Sequence, residues 1–403
     1  MRKVFFTLAG GEIGARALQV AAIVLLTRKV GMGPIGEYGL ASSISAYALL
    51  AVTQGLDTIG VRAAAQKQVD ARSAAGQIMG LRLLSALLMA ALTALWALGR
   101  PSDPAAHLLV ILSGVYFSNA LAPRWLFLAE SLPRPLAVAA TLSQACFLAG
   151  VLCVRGPADL HLAAWAQMGG EAITALLLWM VAGNIRPRFS GSFWRSLLLE
   201  SWPITIALVM GTALYNFDIV ALGLFGRRIE AGPYISSYRC FTLFGPLLAA
   251  LQNAVLPRFA GLWPDGKAIR RKAEFLALGT SVVLASCSLI LFLFATPVLR
   301  LLYGPAIGDS ASLLRVLIWA LPVQGMRALL RQALFAVRGQ GADLRNVTLS
   351  FLTNAGLDLA LIPRFGALGC AWSTLAAESV LLAGTWAALG ARASLTPAER
   401  QER

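Results

Sequence analysis

The stretch from Glu200 to Ala260, ESWPITIALVMGTALYNFDIVALGLFGRRIEAGPYISSYRCFTLFGPLLAALQNAVLPRFA, decides how the rest of the chain is read. It holds two apolar runs, each long enough to cross a bilayer as a helix, joined by a short loop carrying Arg227, Arg228 and Glu230. Asp218 lies inside the first run, and an acid at that depth faces protein or water rather than lipid.

Outward from this stretch, similar runs recur from end to end. Of the 403 residues 58% are hydrophobic and 13% charged, where soluble domains carry roughly 25% charged residues. No long polar segment remains to build a soluble domain. The net charge of +15 is spread over loop after loop with no aromatic-rich basic patch. It therefore orients helices in a membrane and does not indicate nucleic acid as a partner. Five cysteines (Cys146, Cys153, Cys240, Cys287, Cys370) all fall in apolar runs without metal spacing and read as small packing residues. The N-terminus begins with Arg2 and Lys3, but Glu12 and Arg16 interrupt the run that follows, so it reads as a retained first helix.

Hydropathy gives twelve candidate spans, at 4–27, 38–57, 76–98, 106–128, 135–154, 160–182, 201–225, 234–256, 274–295, 311–337, 345–362 and 368–390. With both termini on one side, that side carries more than twice as many Lys and Arg as the other, so both termini are expected in the cytoplasm. An internal repeat follows from two offsets. Shifting by 196 residues carries Gly36, Tyr38 and Arg62 onto Gly232, Tyr234 and Arg258. Shifting by 207 carries Ala164, Trp165, Glu171 and Trp179 onto Ala371, Trp372, Glu378 and Trp386. Since six is even, the halves point the same way, a parallel repeat about an axis along the membrane normal. The expected architecture is an all-α membrane protein: a six-helix lobe at 1–183, a basic cytoplasmic linker at 184–200, a second six-helix lobe at 201–390 and a cytoplasmic tail at 391–403.

The segment LLTRKVGMGPIGEYGLASSISAY (25–47) resembles the first loop of polysaccharide and O-antigen flippases: a basic run, then Gly-x-x-Gly-x-Tyr-Gly. Residues 200–259 are similar to their seventh and eighth spans, where an acid in an apolar helix precedes a Gly-x-Tyr loop and a Leu-Pro-Arg closes the pair. The C-terminal part, with its LIPRFGALGCA turn (361–371), also resembles theirs. The resemblance covers nearly the whole chain and points to the multidrug/oligosaccharidyl-lipid/polysaccharide exporter superfamily. It implies two six-helix lobes facing a central cavity, a polyprenyl-diphosphate-linked oligosaccharide as substrate, and residence in the bacterial inner membrane. It also implies work alongside glycosyltransferases and a polysaccharide polymerase, with no cofactor and no catalytic residue.

A phosphate-bearing headgroup calls for cations along a hydrated path, Arg being the better two-point partner. Arg16, about halfway down span 1, either lines such a path or merely neutralises Glu12 one turn away. Arg239, Arg327 and Arg331 are further candidates for the substrate's phosphates, with snorkelling to the interface as the alternative. Arg82 and Arg124 read as interfacial anchors near span ends. Asp218 is the candidate coupling acid, with a hydrogen bond to Asn216 or Tyr215 as the alternative. Glu171 and Glu378 occupy matched repeat positions, which favours a paired polar contact in each lobe over coupling. Asp57 and Asp358 are expected at the interface, and Pro203, Pro246 and Pro322 can kink their helices.

Rival readings are a lipid II flippase of the same superfamily, whose usual extra C-terminal spans find no counterpart here, and a drug exporter, which would favour an acidic cavity. A membrane glycosyltransferase would need a catalytic loop, and no external loop exceeds about fifteen residues. No Gly-x4-Gly-Lys-Ser/Thr loop is present, so an ion gradient or consumption of the product is expected to drive transport.

Overall fold

The computed structural model describes residues 2–65, 71–130, 132–183, 185–262 and 265–395. Apart from a three-residue 3-10 turn at Pro157–Asp159, every described element is an α-helix. In chain order these are α1 (Arg2–Val30), α2 (Met32–Thr53), α3 (Leu56–Ala65), α4 (Ala71–Leu98), α5 (Pro104–Leu112), α6 (Gly114–Leu121), α7 (Arg124–Ala129), α8 (Pro133–Cys153), α9 (Leu160–Val181) and α10 (Gly191–Leu224). They continue as α11 (Arg228–Thr242), α12 (Gly245–Ala260), α13 (Gly266–Leu293), α14 (Ala295–Tyr303), α15 (Ser310–Leu317), α16 (Ala320–Ala336), α17 (Gln340–Phe365) and α18 (Ala367–Ser394).

Each expected span coincides with one helix or with consecutive helices separated by a break. Seven helical stretches are both long and apolar enough to cross a membrane, and an eighth is bent by 50° between Trp202 and Ile204, at the expected kink of Pro203. Their outer faces carry leucines in rows, such as Leu84, Leu87, Leu88, Leu92 and Leu95 along α4, all exposed as lipid-facing positions are.

The chain divides into two compact units, residues 1–212 and 213–403. The boundary falls inside α10 and not at the 184–200 linker, because that linker is strapped to the first unit. The Arg188 amide donates to the Gly76 carbonyl (2.8 Å), its guanidinium to Ser73 (2.8 Å), and Trp194 Nε1 to the Gln77 carbonyl (3.1 Å). Gly80 leaves the groove open: a Cβ there would lie 2.0 Å from the Arg188 carbonyl oxygen.

Within the first unit, α2 breaks into α3 at Gln54 and Gly55, both with positive φ (49° and 65°). Such a break orphans backbone carbonyls, and Arg82 reaches across from α4 to the Thr53 carbonyl (3.3 Å) and to Asp57 (3.0 Å). Arg82 is therefore no snorkelling anchor: it is buried, and Asp57 is its partner. A core of Leu56, Ile59, Trp125, Phe127 and Leu178 packs around this break.

In the second unit Val255, Phe259, Ile269, Leu330, Leu334 and Leu389 belong to one hydrophobic core cluster. The turn between α17 and α18 is clamped by Glu230, which accepts from the Ala367 amide (2.6 Å) and pairs with Arg227 (2.8 Å). Gly366, at φ 59°, is required there, since any Cβ would run into the Glu230 carboxylate.

Candidate functional site

Two polar sites lie within the units, one in each. In the first unit, Gly170 has no side chain to hold α9 away from α8; a Cβ would sit 2.6 Å from the Ser143 carbonyl oxygen. Close approach through small residues is how membrane helices pack, and it brings Glu171, the next residue, over Ser143. Arg124, opening α7, donates to Glu171 at 2.6 Å, and Ser143 Oγ donates to the other carboxylate oxygen at 3.4 Å. These residues line a cavity of about 320 Å³ together with Arg16, Gln19, Gln144 and Thr174. That volume is at the lower end for small-molecule sites. Among the described residues its charged lining is two guanidinium groups against one carboxylate. Among the described residues, Arg124 Nε and Gln144 Oε1 are buried without a partner, so the cavity holds unused donor and acceptor capacity.

The structure thus places Arg16, exposed on α1, in a cavity with Arg124 and Glu171. The side chain of Glu12 lies outside the described residues. Arg124, read from sequence as an anchor, is part of this site instead, because Glu171 draws it inward.

The second unit holds a cluster of a different kind. Asp218 of α10 is buried and accepts hydrogen bonds from Tyr234 of α11 and from Thr374 of α18 (3.0 Å to Thr374). Asp358 and Asn354 of α17 lie close enough to interact with the same carboxyl. They stand four residues apart on one helix face, and both are fully buried. Asp358 was expected at the interface; the stripe Asn346, Ser350, Asn354, Asp358 instead turns inward. Tyr234 and Thr374 are hydrogen-bond donors to Asp218 that the sequence reading did not name; the Tyr215 side chain lies outside the described residues.

Oδ1 of Asp218, both carboxylate oxygens of Asp358 and both side-chain atoms of Asn354 are buried with no hydrogen-bond partner among the described residues. Two neighbouring carboxyls away from water cannot both stay charged without a compensating positive charge. The donor set is all oxygen, which suits a shared proton or a small hard cation. Among the described residues no three His, Cys, Asp or Glu side chains gather as a metal-binding group.

The remaining candidates are tied into structure. Glu378 accepts from Arg327 (3.0 Å), with side chains 3% and 9% exposed, and lies 3.4 Å from Gln324. Arg331 makes a two-point bond to Asp343 (2.8 and 2.7 Å) and packs its guanidinium over Phe335. Arg327 and Arg331 are hence engaged by carboxylates of their own unit, which neither a snorkelling nor a phosphate-binding role anticipates. Arg239 lies partly buried in the last turn of α11.

These helices, by length and apolar surface, are those of a multi-pass membrane protein. The polysaccharide biosynthesis protein family matches residues 1–263, more than half of the sequence, and the chain belongs to that family. The lipid II flippase MurJ family matches residues 238–401. A probable flippase, AglR of Haloferax volcanii, is 30% identical over 163 residues, which is 39% of this chain; the matched part spans about a third (34%) of that relative's length.

Among solved structures, an inward closed conformation of lipid II flippase MurJ superposes with a TM-score of 0.80 at 14% identity, covering 98% of this chain and 88% of that one. An inward-facing multidrug resistance MATE family transporter of the MOP superfamily gives 0.73 at 13% identity, covering 94% of each. The fold is shared with both.

Proposed function

We propose that this protein is a flippase that carries a polyprenyl-diphosphate-linked oligosaccharide from the cytoplasmic to the external leaflet of a bacterial inner membrane, for polysaccharide biosynthesis. The observation that carries this reading is the cavity of the first unit, where, among the described residues, Arg16 and Arg124 outnumber Glu171. A cationic cavity at membrane depth is costly unless an anion uses it. Phosphate is the anion for which guanidinium geometry is best matched.

In this reading the diphosphate rides on the arginines, the glycan follows a hydrated path, and the polyprenyl tail stays in lipid. The two units alternate access to the two sides, with both termini cytoplasmic. Asp218 and Asp358 supply coupling by taking up a proton or small cation in one state and releasing it in the other. Glycosyltransferases complete the substrate before transport, and a polymerase consumes the product. Lipid II, also a polyprenyl-diphosphate conjugate, is the second reading, favoured by the likeness of the C-terminal part to MurJ.

The test is reconstitution into vesicles with a fluorescent polyprenyl-diphosphate oligosaccharide, lipid II and a cationic drug as alternative cargoes. Transfer of label to the side reached by an impermeant quencher is expected for the oligosaccharide lipid. Transport of the drug with neither lipid moved would overturn the proposal.

A further inference from the structure

The pair Arg124–Glu171 has a counterpart in Arg327–Glu378, the two glutamates being 207 residues apart. The chemistry is the same and the surroundings differ. In the second unit the pair is sealed, with side chains 9% and 3% exposed. In the first unit Arg124 and Glu171 are 43% and 20% exposed, and both line the cavity that Arg16 also lines. An ion pair open to water contributes little, so a competing anion can displace the carboxylate at little cost. Breaking a buried pair leaves an uncompensated charge, and exchange there is closed off.

From this difference we infer that Glu171 is a displaceable counter-ion: it holds Arg124 in the empty cavity, and an incoming phosphate or diphosphate group takes its place. The inference rests on the flippase reading above and concerns how its cavity is regulated. Three features favour exchange over a fixed staple. Ser143 Oγ, 3.4 Å from Glu171 Oε1, offers the released carboxylate a hydrogen bond. Among the described residues Arg124 Nε is buried without a partner and gives the guanidinium a second donor for an anion that spans two positions. Arg16 on the facing helix adds the charge by which a phosphate outcompetes a single carboxylate. Glu171 thus tunes affinity downward: it prevents Arg124 from standing unpaired, and it makes the headgroup releasable.

Binding of a short-chain polyprenyl diphosphate without glycan to the purified full-length protein in lipid nanodiscs tests this. Glu171→Gln, close in shape and without the charge, is expected to tighten Kd about tenfold, roughly 1.4 kcal/mol. Arg124→Ala is expected to weaken it by a similar factor, and Glu171→Gln added to Arg124→Ala to bring no gain. Glu171→Asp, which shortens the carboxylate and keeps its charge, should fall between wild type and Glu171→Gln, so the inference remains testable if one variant folds poorly.

Unchanged or weaker binding in Glu171→Gln overturns the exchange and leaves Glu171 as a positioning residue. So does a gain that survives Arg124→Ala. If Arg16→Ala weakens binding in either case, the flippase reading still stands. A wild-type protein that binds no diphosphate overturns both.

Discussion

The buried face of α8 in the first unit is Ala139, Ser143, Phe147 and Val151; the positions 207 residues on, Asn346, Ser350, Asn354 and Asp358, lie among the buried residues of α17 in the second. Only the serine is common. Other matched contacts follow suit. Tyr38 donates to Gln167, and the corresponding Tyr234 lies against Thr374 (3.2 Å) but donates to Asp218, whose own counterpart is the fully buried Ala22. Positions related by one sequence offset thus meet an open cavity lined by arginines in the first unit, and a buried acidic cluster with a sealed ion pair in the second. On the function proposed above, charge separates the tasks: anion recognition falls to the first unit and coupling to the second.

The sealed pair provides the largest effect by which to test the comparison. Glu378→Ala should lower unfolding stability by about 3–5 kcal/mol because Arg327 is left buried and uncompensated, seen as reduced thermal stability in detergent. Close behind comes Gly170→Ala, whose added Cβ meets the Ser143 carbonyl at 2.6 Å. Forcing α9 off α8 should cost about 1–3 kcal/mol, read as a lower melting temperature in detergent.

Asp218→Asn should leave diphosphate binding unchanged while slowing gradient-driven transport about tenfold, roughly 1.4 kcal/mol in barrier, measured by flipping under an imposed ion or proton gradient. The smallest stability effect belongs to Glu171→Ala, about 0–1 kcal/mol as befits an exposed pair. Equal losses in Glu171→Ala and Glu378→Ala would erase the distinction between open and sealed pairs.

Much of this was legible in the residues. The long apolar runs and short basic loops define a helical membrane protein because lipid admits few other solutions. Arg16 and Asp218 drew notice because ionisable groups at membrane depth are rare. The spacing of Asn346, Ser350, Asn354 and Asp358 on one helix face was a signal also present in the sequence. It passed unused because Asp358, near the end of its span, reads as interfacial when taken alone. Arg124 and Arg82 were hidden for a related reason. Depth along a helix says how far a side chain must reach for water, but not whether a carboxylate such as Glu171 or Asp57 lies nearer. The strapping of the basic linker at 184–200 was not legible because two of its anchors are the Gly76 and Gln77 carbonyls, and backbone groups leave no trace in composition.

The division of tasks meets its most direct test in vesicles, by measuring headgroup binding and flipping of the labelled lipid for Arg16→Ala/Arg124→Ala and for Asp218→Asn, with and without a gradient. The double arginine variant should lose binding and flipping under both conditions. Asp218→Asn should keep wild-type binding and lose the acceleration a gradient brings. A folded Asp218→Asn protein that responds fully to the gradient, or an arginine variant that flips at the wild-type rate, would contradict it.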